Sequence, residues 1–188
     1  MLVDRVIDRR VINGSKFDPS LADEMVKAGH DRIRACIQCG TCTGSCPSGR
    51  RTAYRTRQVI RKALLGLREE VLSDPNLWLC TTCGTCTERC PRKIDVTDAI
   101  MFLRNLAVKE GHMRPEHKAL SHKLIETGHA VPIDDPKWSQ LRQSLGLPPL
   151  PPTVHSSPKA VREVQEICKK TGFDKLVGYK AGEKGEGT

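Results

Sequence analysis

Aromatic side chains are scarce in this sequence. Its 188 residues include two Trp, two Tyr and three Phe. Hydrophobic residues make up only 38% against 28% charged, which argues against a large apolar core. A chain this lean is expected to draw stability from a second source, such as a metal centre or a partner surface. No run approaches the roughly 18 apolar residues of a membrane span. The opening Met1-Leu2-Val3-Asp4-Arg5 lacks the apolar block of a secretory signal. Phosphate loops, dinucleotide fingerprints and Ser/His/Asp patterns are missing too. The expectation is a cytoplasmic chain with no catalytic residues of its own.

Cysteine is the exception to this poverty. Nine are present, and in a reducing compartment clustered cysteines point to metal or redox chemistry rather than disulfides. Eight fall into two groups that repeat one pattern. The first runs Cys36-Ile37-Gln38-Cys39-Gly40-Thr41-Cys42-Thr43-Gly44-Ser45-Cys46-Pro47. The second runs Cys80-Thr81-Thr82-Cys83-Gly84-Thr85-Cys86-Thr87-Glu88-Arg89-Cys90-Pro91. Eight of the twelve positions agree, at an offset of 44 residues.

Each copy is C-x2-C-x2-C-x3-C-P, the bacterial-ferredoxin spacing for a four-iron cluster. Three cysteines at every third position let one tight loop reach three corners of a cubane. Gly40 and Gly84 mark a point where close approach or an unusual φ is needed. Pro47 and Pro91 turn the chain away after the fourth cysteine. In two-cluster proteins that fourth cysteine serves the other cluster. The expected ligand sets are therefore Cys36, Cys39, Cys42 and Cys90 for one [4Fe-4S] cluster, and Cys80, Cys83, Cys86 and Cys46 for the second. Zinc more often takes separated knuckles or a Cys/His mixture; a zinc-stabilised nucleic-acid-binding module is kept as the alternative of a different class.

The coarse reading is mainly α. Residues 1–17 suit a short strand pair around Asn13-Gly14 or an arm on a partner. Asp18-Pro19 opens a helix with Leu21, Met25 and Ala28 on one face and Gly29 at its end. Tyr54, Val59, Ile60, Ala63, Leu64 and Leu67 predict one helix through about Leu72. Asp74-Pro75 begins a short helix carrying Leu77, Trp78 and Leu79. Asp95 caps a helix with Ala99, Ile100, Leu103, Leu106 and Ala107 inward, closed by Gly111. Further helices are predicted from Pro115 to Gly128, using Leu120 and Leu124, and from Pro136 to Leu145, anchored by Trp138 and Leu141. The Pro-rich stretch from Leu147 to Thr153 forms an extended connector. Ser157-Pro158 starts a last helix with Val161, Val164, Ile167 and Cys168, which either docks on a partner or packs on its own core. The expected segments are 1–34, an arm and first helix; 35–111, the two-cluster core; 112–147, further helices; 148–157, the connector; and 158–188, a docking helix and mobile tail.

Cys168, alone on an apolar helix side, reads as a buried small hydrophobe. The histidines lack the spacing of a helical metal pair. The formal charge of +9 falls to roughly +5 if each cluster with its thiolates carries about −2. The arginines from Arg50 to Arg68 could offset that charge, meet an acidic partner, or face solvent. Aromatic residues are not interleaved among them as nucleic-acid stacking requires, so no nucleic-acid partner is expected.

With both cysteine copies and the helical stretch between them in view, the sequence resembles the C subunits of heterodisulfide reductases. These are small iron–sulfur subunits of methanogenic archaea and some anaerobic bacteria. The resemblance covers about residues 20–112. It implies the alpha-helical ferredoxin fold and two [4Fe-4S] clusters. It also implies partners: a flavin-containing A subunit with FAD and iron–sulfur centres, a B subunit that reduces the coenzyme M–coenzyme B heterodisulfide, and a larger assembly with a hydrogenase or formate dehydrogenase. The implied role is electron relay from A to B in methanogenesis, with flavin-based bifurcation in the A subunit. The chain lacks the plant-type domain and the Cys-Cys-Gly modules of related proteins, which favours a stand-alone subunit. The remaining alternative is a relay subunit of another anaerobic flavoprotein oxidoreductase.

Overall fold

Every regular element of the computed structural model, which describes residues 17–130 and 135–180, is helical. The proposed strand pair around Asn13-Gly14 and the tail beyond Lys180 lie outside the described residues. The chain divides after Glu110 into two units.

The first unit is one helical pattern used twice. Helix α1 (Ser20–Lys27) leads to a 3-10 turn, Asp31–Ala35, that delivers Cys36. The first loop ends in α2 (Thr41–Gly44), followed by α3 (Pro47–Arg51) and α4 (Thr56–Leu64). Helix α5 (Arg68–Leu72) and a second 3-10 turn, Pro75–Leu79, then deliver Cys80. The second loop ends in α6 (Thr85–Glu88), and α7 (Val96–Lys109) completes the unit. Ile33 and Leu77 occupy the same place in the two 3-10 turns, and both are fully buried. Leu21, Met25, Tyr54, Ile60, Leu72, Ile100 and Leu103 share their core.

Several sequence expectations are corrected here. Asp18 does act at the start of α1, its carboxylate accepting from Ser20 N at 3.0 Å, but the helix begins one residue later than expected. Ala28 is exposed; Ala22 takes its place inside. The single helix expected through Leu72 is two. Gly66, at φ +70°, breaks it, and its carbonyl accepts from Asp18 N at 2.7 Å. An added Cβ on Gly66 would lie 2.4 Å from the Asp18 carbonyl oxygen. Asp95 makes no side-chain cap on α7.

Arg68 ties the ends of three segments. Its guanidinium reaches Asp18 at 3.1 Å, Glu24 at 2.9 Å and Glu110 at 2.6 Å. Hydrogen bonds from Ser20, with that contact as a smaller addition, hold the Asp18 carboxyl below its ordinary pKa; Glu24 is lowered chiefly by Arg68 itself.

The second unit holds α8 (Pro115–Thr127), α9 (Pro136–Ser144), α10 (Pro158–Thr171) and α11 (Phe173–Leu176). Its small core is Ile125, Cys168 and Val177, with Met113, Val164, Phe173 and Tyr179 packed around them. Ile125, rather than Leu120 or Leu124, is the buried residue of α8. His122 Nε2 meets Val177 O at 2.9 Å. Trp138 and Leu141 do not anchor α9: both stay more than 40% exposed. The α10 stripe packs on α8 through Cys168 and Val164, whereas Ile167 is exposed. Among the described residues, no helix is long and apolar enough to cross a membrane.

Candidate metal centre

The same backbone conformation recurs in both cysteine loops. Gln38 and Gly40 have φ of +56° and +82°; Thr82 and Gly84 have +53° and +75°. Glycine is required for this left-handed turn, not for space, since an added Cβ would meet nothing closer than 3.7 Å at Gly40 and nothing within 4 Å at Gly84. The turn sets Cys39 and Cys83 outward, both exposed, and starts α2 and α6, which carry Cys42 and Cys86 half-buried. Helix α2 packs on α6, and Cys86 and Cys36 lie near Cys42.

Two cross-ties bring each fourth cysteine to the other repeat. Ser48, two residues after Cys46, donates from Oγ to the Leu79 carbonyl, just before Cys80, at 2.6 Å. Arg92, two residues after Cys90, donates from Nε to the Ala35 carbonyl, just before Cys36, at 3.3 Å. Cys36, Cys39, Cys42 and Cys90 accordingly line one cleft, with Ile60, Ile94, Val96, Arg57 and Arg92. On the other side Cys80 adjoins the Tyr54 hydroxyl, with Cys46 in the same neighbourhood, and Cys80 neighbours Cys86.

The threonines of the repeat also work in pairs. Thr43 Oγ1 accepts from Arg57 N at 2.8 Å, and Thr87 Oγ1 accepts from Thr97 N at 3.0 Å. The first loop thus caps α4 and the second caps α7, which is why α7 manages without the Asp95 side chain.

A family description, the 4Fe-4S dicluster domain, matches residues 32–94. The chain is 52% identical over 172 residues to the C subunit of the H(2):CoB-CoM heterodisulfide,ferredoxin reductase of Methanothermobacter marburgensis, covering 92% of each chain. Against the iron–sulfur C subunit of the CoB–CoM heterodisulfide reductase of Methanopyrus kandleri, identity is 53% over 147 residues, 78% of this chain and 76% of that one. With the C subunit of the Ferredoxin:CoB-CoM heterodisulfide reductase of Methanosarcina mazei it is 50% over 164 residues, 85% of this chain and all of the other. The chain belongs to the family of heterodisulfide reductase C subunits.

As a C subunit it is an iron–sulfur component of an oxidoreductase, and its dicluster domain takes two [4Fe-4S] clusters. The residues present fit such groups. All eight thiols occupy paired loops, and donors are already turned toward them. Gln38 Nε2 donates to Cys36 Sγ at 3.2 Å, and Gly49 N donates to Cys46 Sγ at 3.3 Å. Thr97 Oγ1 lies 3.3 Å from Cys86 Sγ. The Thr41 and Thr85 hydroxyls pull the Cys39 and Cys83 thiol pKa values down; burial pushes those of Cys42 and Cys86 up. Cys168 is buried in the second unit, away from these loops in sequence and core.

Residues of the site other than the cysteines were missed by sequence reasoning: Thr43, Thr87, Ser48, Arg92 and Tyr54. The threonines carried a signal, since the repeat includes them. Ser48 and Arg92 carried none, because a cross-tie between distant segments has no spacing to read.

Proposed function

We propose that Cys36, Cys39, Cys42 and Cys90 hold one cluster and that Cys80, Cys83, Cys86 and Cys46 hold the second. The observation that carries this crossing is the pair of reciprocal ties, Ser48 to Leu79 and Arg92 to Ala35, which set each fourth cysteine beside the opposite first cysteine. When bound, each cluster supplies a centre that accepts and returns one electron without bond rearrangement. The protein's own part is to fix the thiolates, to donate hydrogen bonds to them, and to keep the two loops adjacent through α2 and α6.

On this reading the chain carries single electrons from a flavin-bearing A subunit to a B subunit that reduces the coenzyme M–coenzyme B heterodisulfide. The names of relatives mention hydrogen, formate and ferredoxin, which supports placement in a larger assembly with a hydrogenase or formate dehydrogenase. A cytoplasmic assembly is the expected setting. Two measurements test the reading. Anaerobically purified protein should hold about eight iron and eight sulfide; about two zinc without sulfide would overturn it. In magnetic spectra, Cys46→Ala should disturb the cluster held mainly by the second repeat, and Cys90→Ala the cluster held mainly by the first. Disturbance of the mutated repeat's own cluster alone would refute the crossing.

A further inference from the structure

The two cluster sites are copies with different floors. Aligning them on their threonine caps pairs Arg57 with Thr97, and so Tyr54 with Ile94 and Thr56 with Val96. All four side chains are buried, with 1 to 4% exposure. Around the first site Ile94 and Val96 offer only hydrocarbon. Around the second, the Tyr54 hydroxyl lies beside Cys80, with Thr56 and Cys46 close by.

Neither the Tyr54 nor the Thr56 hydroxyl has a hydrogen-bond partner of full geometry. A buried hydroxyl left this way is destabilising, and a native fold seldom carries one without cause. Tyr54 is also held in place by its own segment of chain. Arg55 Nη1 donates to the carbonyls of Gly49, Thr52 and Tyr54, each at 2.8 Å. The Tyr54 hydroxyl faces two acceptors, the Thr56 hydroxyl and Cys80, and of these a cluster-bound thiolate is the charged one.

Resting on the ligand sets proposed above, we infer that Tyr54, backed by Thr56, donates a hydrogen bond to a thiolate of the Cys46/Cys80 side and raises the reduction potential of that cluster alone. The sign follows from charge. A donor draws electron density from the ligand sulfur, and adding an electron to the cluster then costs less. The first site has other donors and charges, Gln38 on Cys36 and the guanidinium groups of Arg57 and Arg92 in the cleft. The order of the two potentials depends on both sets; the contribution of Tyr54 does not.

The test is an anaerobic redox titration of the intact, cluster-loaded protein, followed by magnetic spectroscopy, for Tyr54→Phe and Thr56→Val. In Tyr54→Phe one midpoint potential falls and the other stays. A tenfold change in the one-electron equilibrium reads as about 59 mV. Thr56→Val moves the same potential the same way by less. The moving potential belongs to the cluster that Cys46→Ala disturbs. In addition, iron–sulfur stretching bands of the unmutated protein shift in D2O. Two unmoved potentials, or two that move alike, in a variant with full iron and sulfide would overturn the role of Tyr54 while leaving the ligand sets intact. A wrong ligand assignment would show instead in the Cys46→Ala and Cys90→Ala spectra. Should Tyr54→Phe fail to load, Thr56→Val and the solvent-isotope shift decide the matter: an unmoved potential with no isotope shift rejects the hydrogen bond.

Discussion

Thr43 and Thr87 show how one residue type can join a metal loop to a helix. Each hydroxyl accepts from the second amide of a later helix, α4 or α7, at 2.8 and 3.0 Å, an N-terminal amide with no partner inside the helix itself. Replacing either by Val keeps the volume and removes the acceptor. The expected loss is about 1 kcal/mol for each, read as a lower denaturant midpoint in the cluster-loaded protein, with Ser restoring most of it. Thr87 has a further reach. Its hydroxyl donates to Thr97 Oγ1 at 3.1 Å, and Thr97 stands beside Cys86. Thr87→Val should therefore disturb the second cluster's spectrum more than Thr43→Val disturbs the first. At this scale the sequence showed every thiol but little of its surroundings. A cysteine pattern is written in consecutive residues, whereas Tyr54 meets Cys80 only after folding. Carrying the repeat comparison past Pro47 and Pro91, with its offset reduced from 44 to 40 residues, would have paired Tyr54 with Ile94 and exposed the difference.

At the scale of elements, Gly66 decides where α4 stops and α5 starts. The hydrophobic period runs on through both helices because Ala63, Leu67 and Val71 stay in phase, so the pattern alone reads as one helix. Only the glycine marks the break, and its meaning depends on Asp18 folding back against it. Gly66→Ala forces a left-handed φ on a residue with a Cβ, costing about 1–3 kcal/mol, and drives that Cβ into the Asp18 backbone. Equilibrium unfolding should show a loss at the upper end of that range or beyond. Other misread elements share one physical cause. Leu120, Trp138 and Leu141 have helical spacing, but spacing says which residues share a face, not whether another element covers it. Arg68 tests a different link. Its three carboxylate partners are each about a third exposed, so solvent screens them. Arg68→Met should cost roughly 1 kcal/mol at neutral pH, and the difference should shrink in 1 M salt. The sign with pH follows from the lowered Asp18 and Glu24 values. Their contribution is complete above the ordinary carboxylate range and fades as pH falls through the lower folded values.

Over the whole molecule, two separate cores carry unequal dependence on metal. The first unit holds nearly all the large buried side chains, yet they surround the cysteine loops: Cys46 belongs to that core, and Cys36, Cys80, Cys86 and Cys90 pack against it. The loops are short, with four-residue helices and left-handed turns. They gain little from helix propensity, since runs this short do not sustain themselves. Their fixed shape must come from ligation, and binding energy at such a centre is folding energy. The second unit packs around Ile125, Cys168 and Val177 with no cluster ligand among them. Oxidative removal of iron with a chelator should therefore act on the chain unevenly. Hydrogen exchange read by peptide should speed up across the 3-10 turns, α2, α6 and the first turns of α4 and α7, because the threonine caps lose their loops. Peptides from α8 and α10 should keep their protection. Uniform loss of protection over both units would show that the second core depends on the first, and unchanged exchange in the loops would show that their shape does not come from the metal.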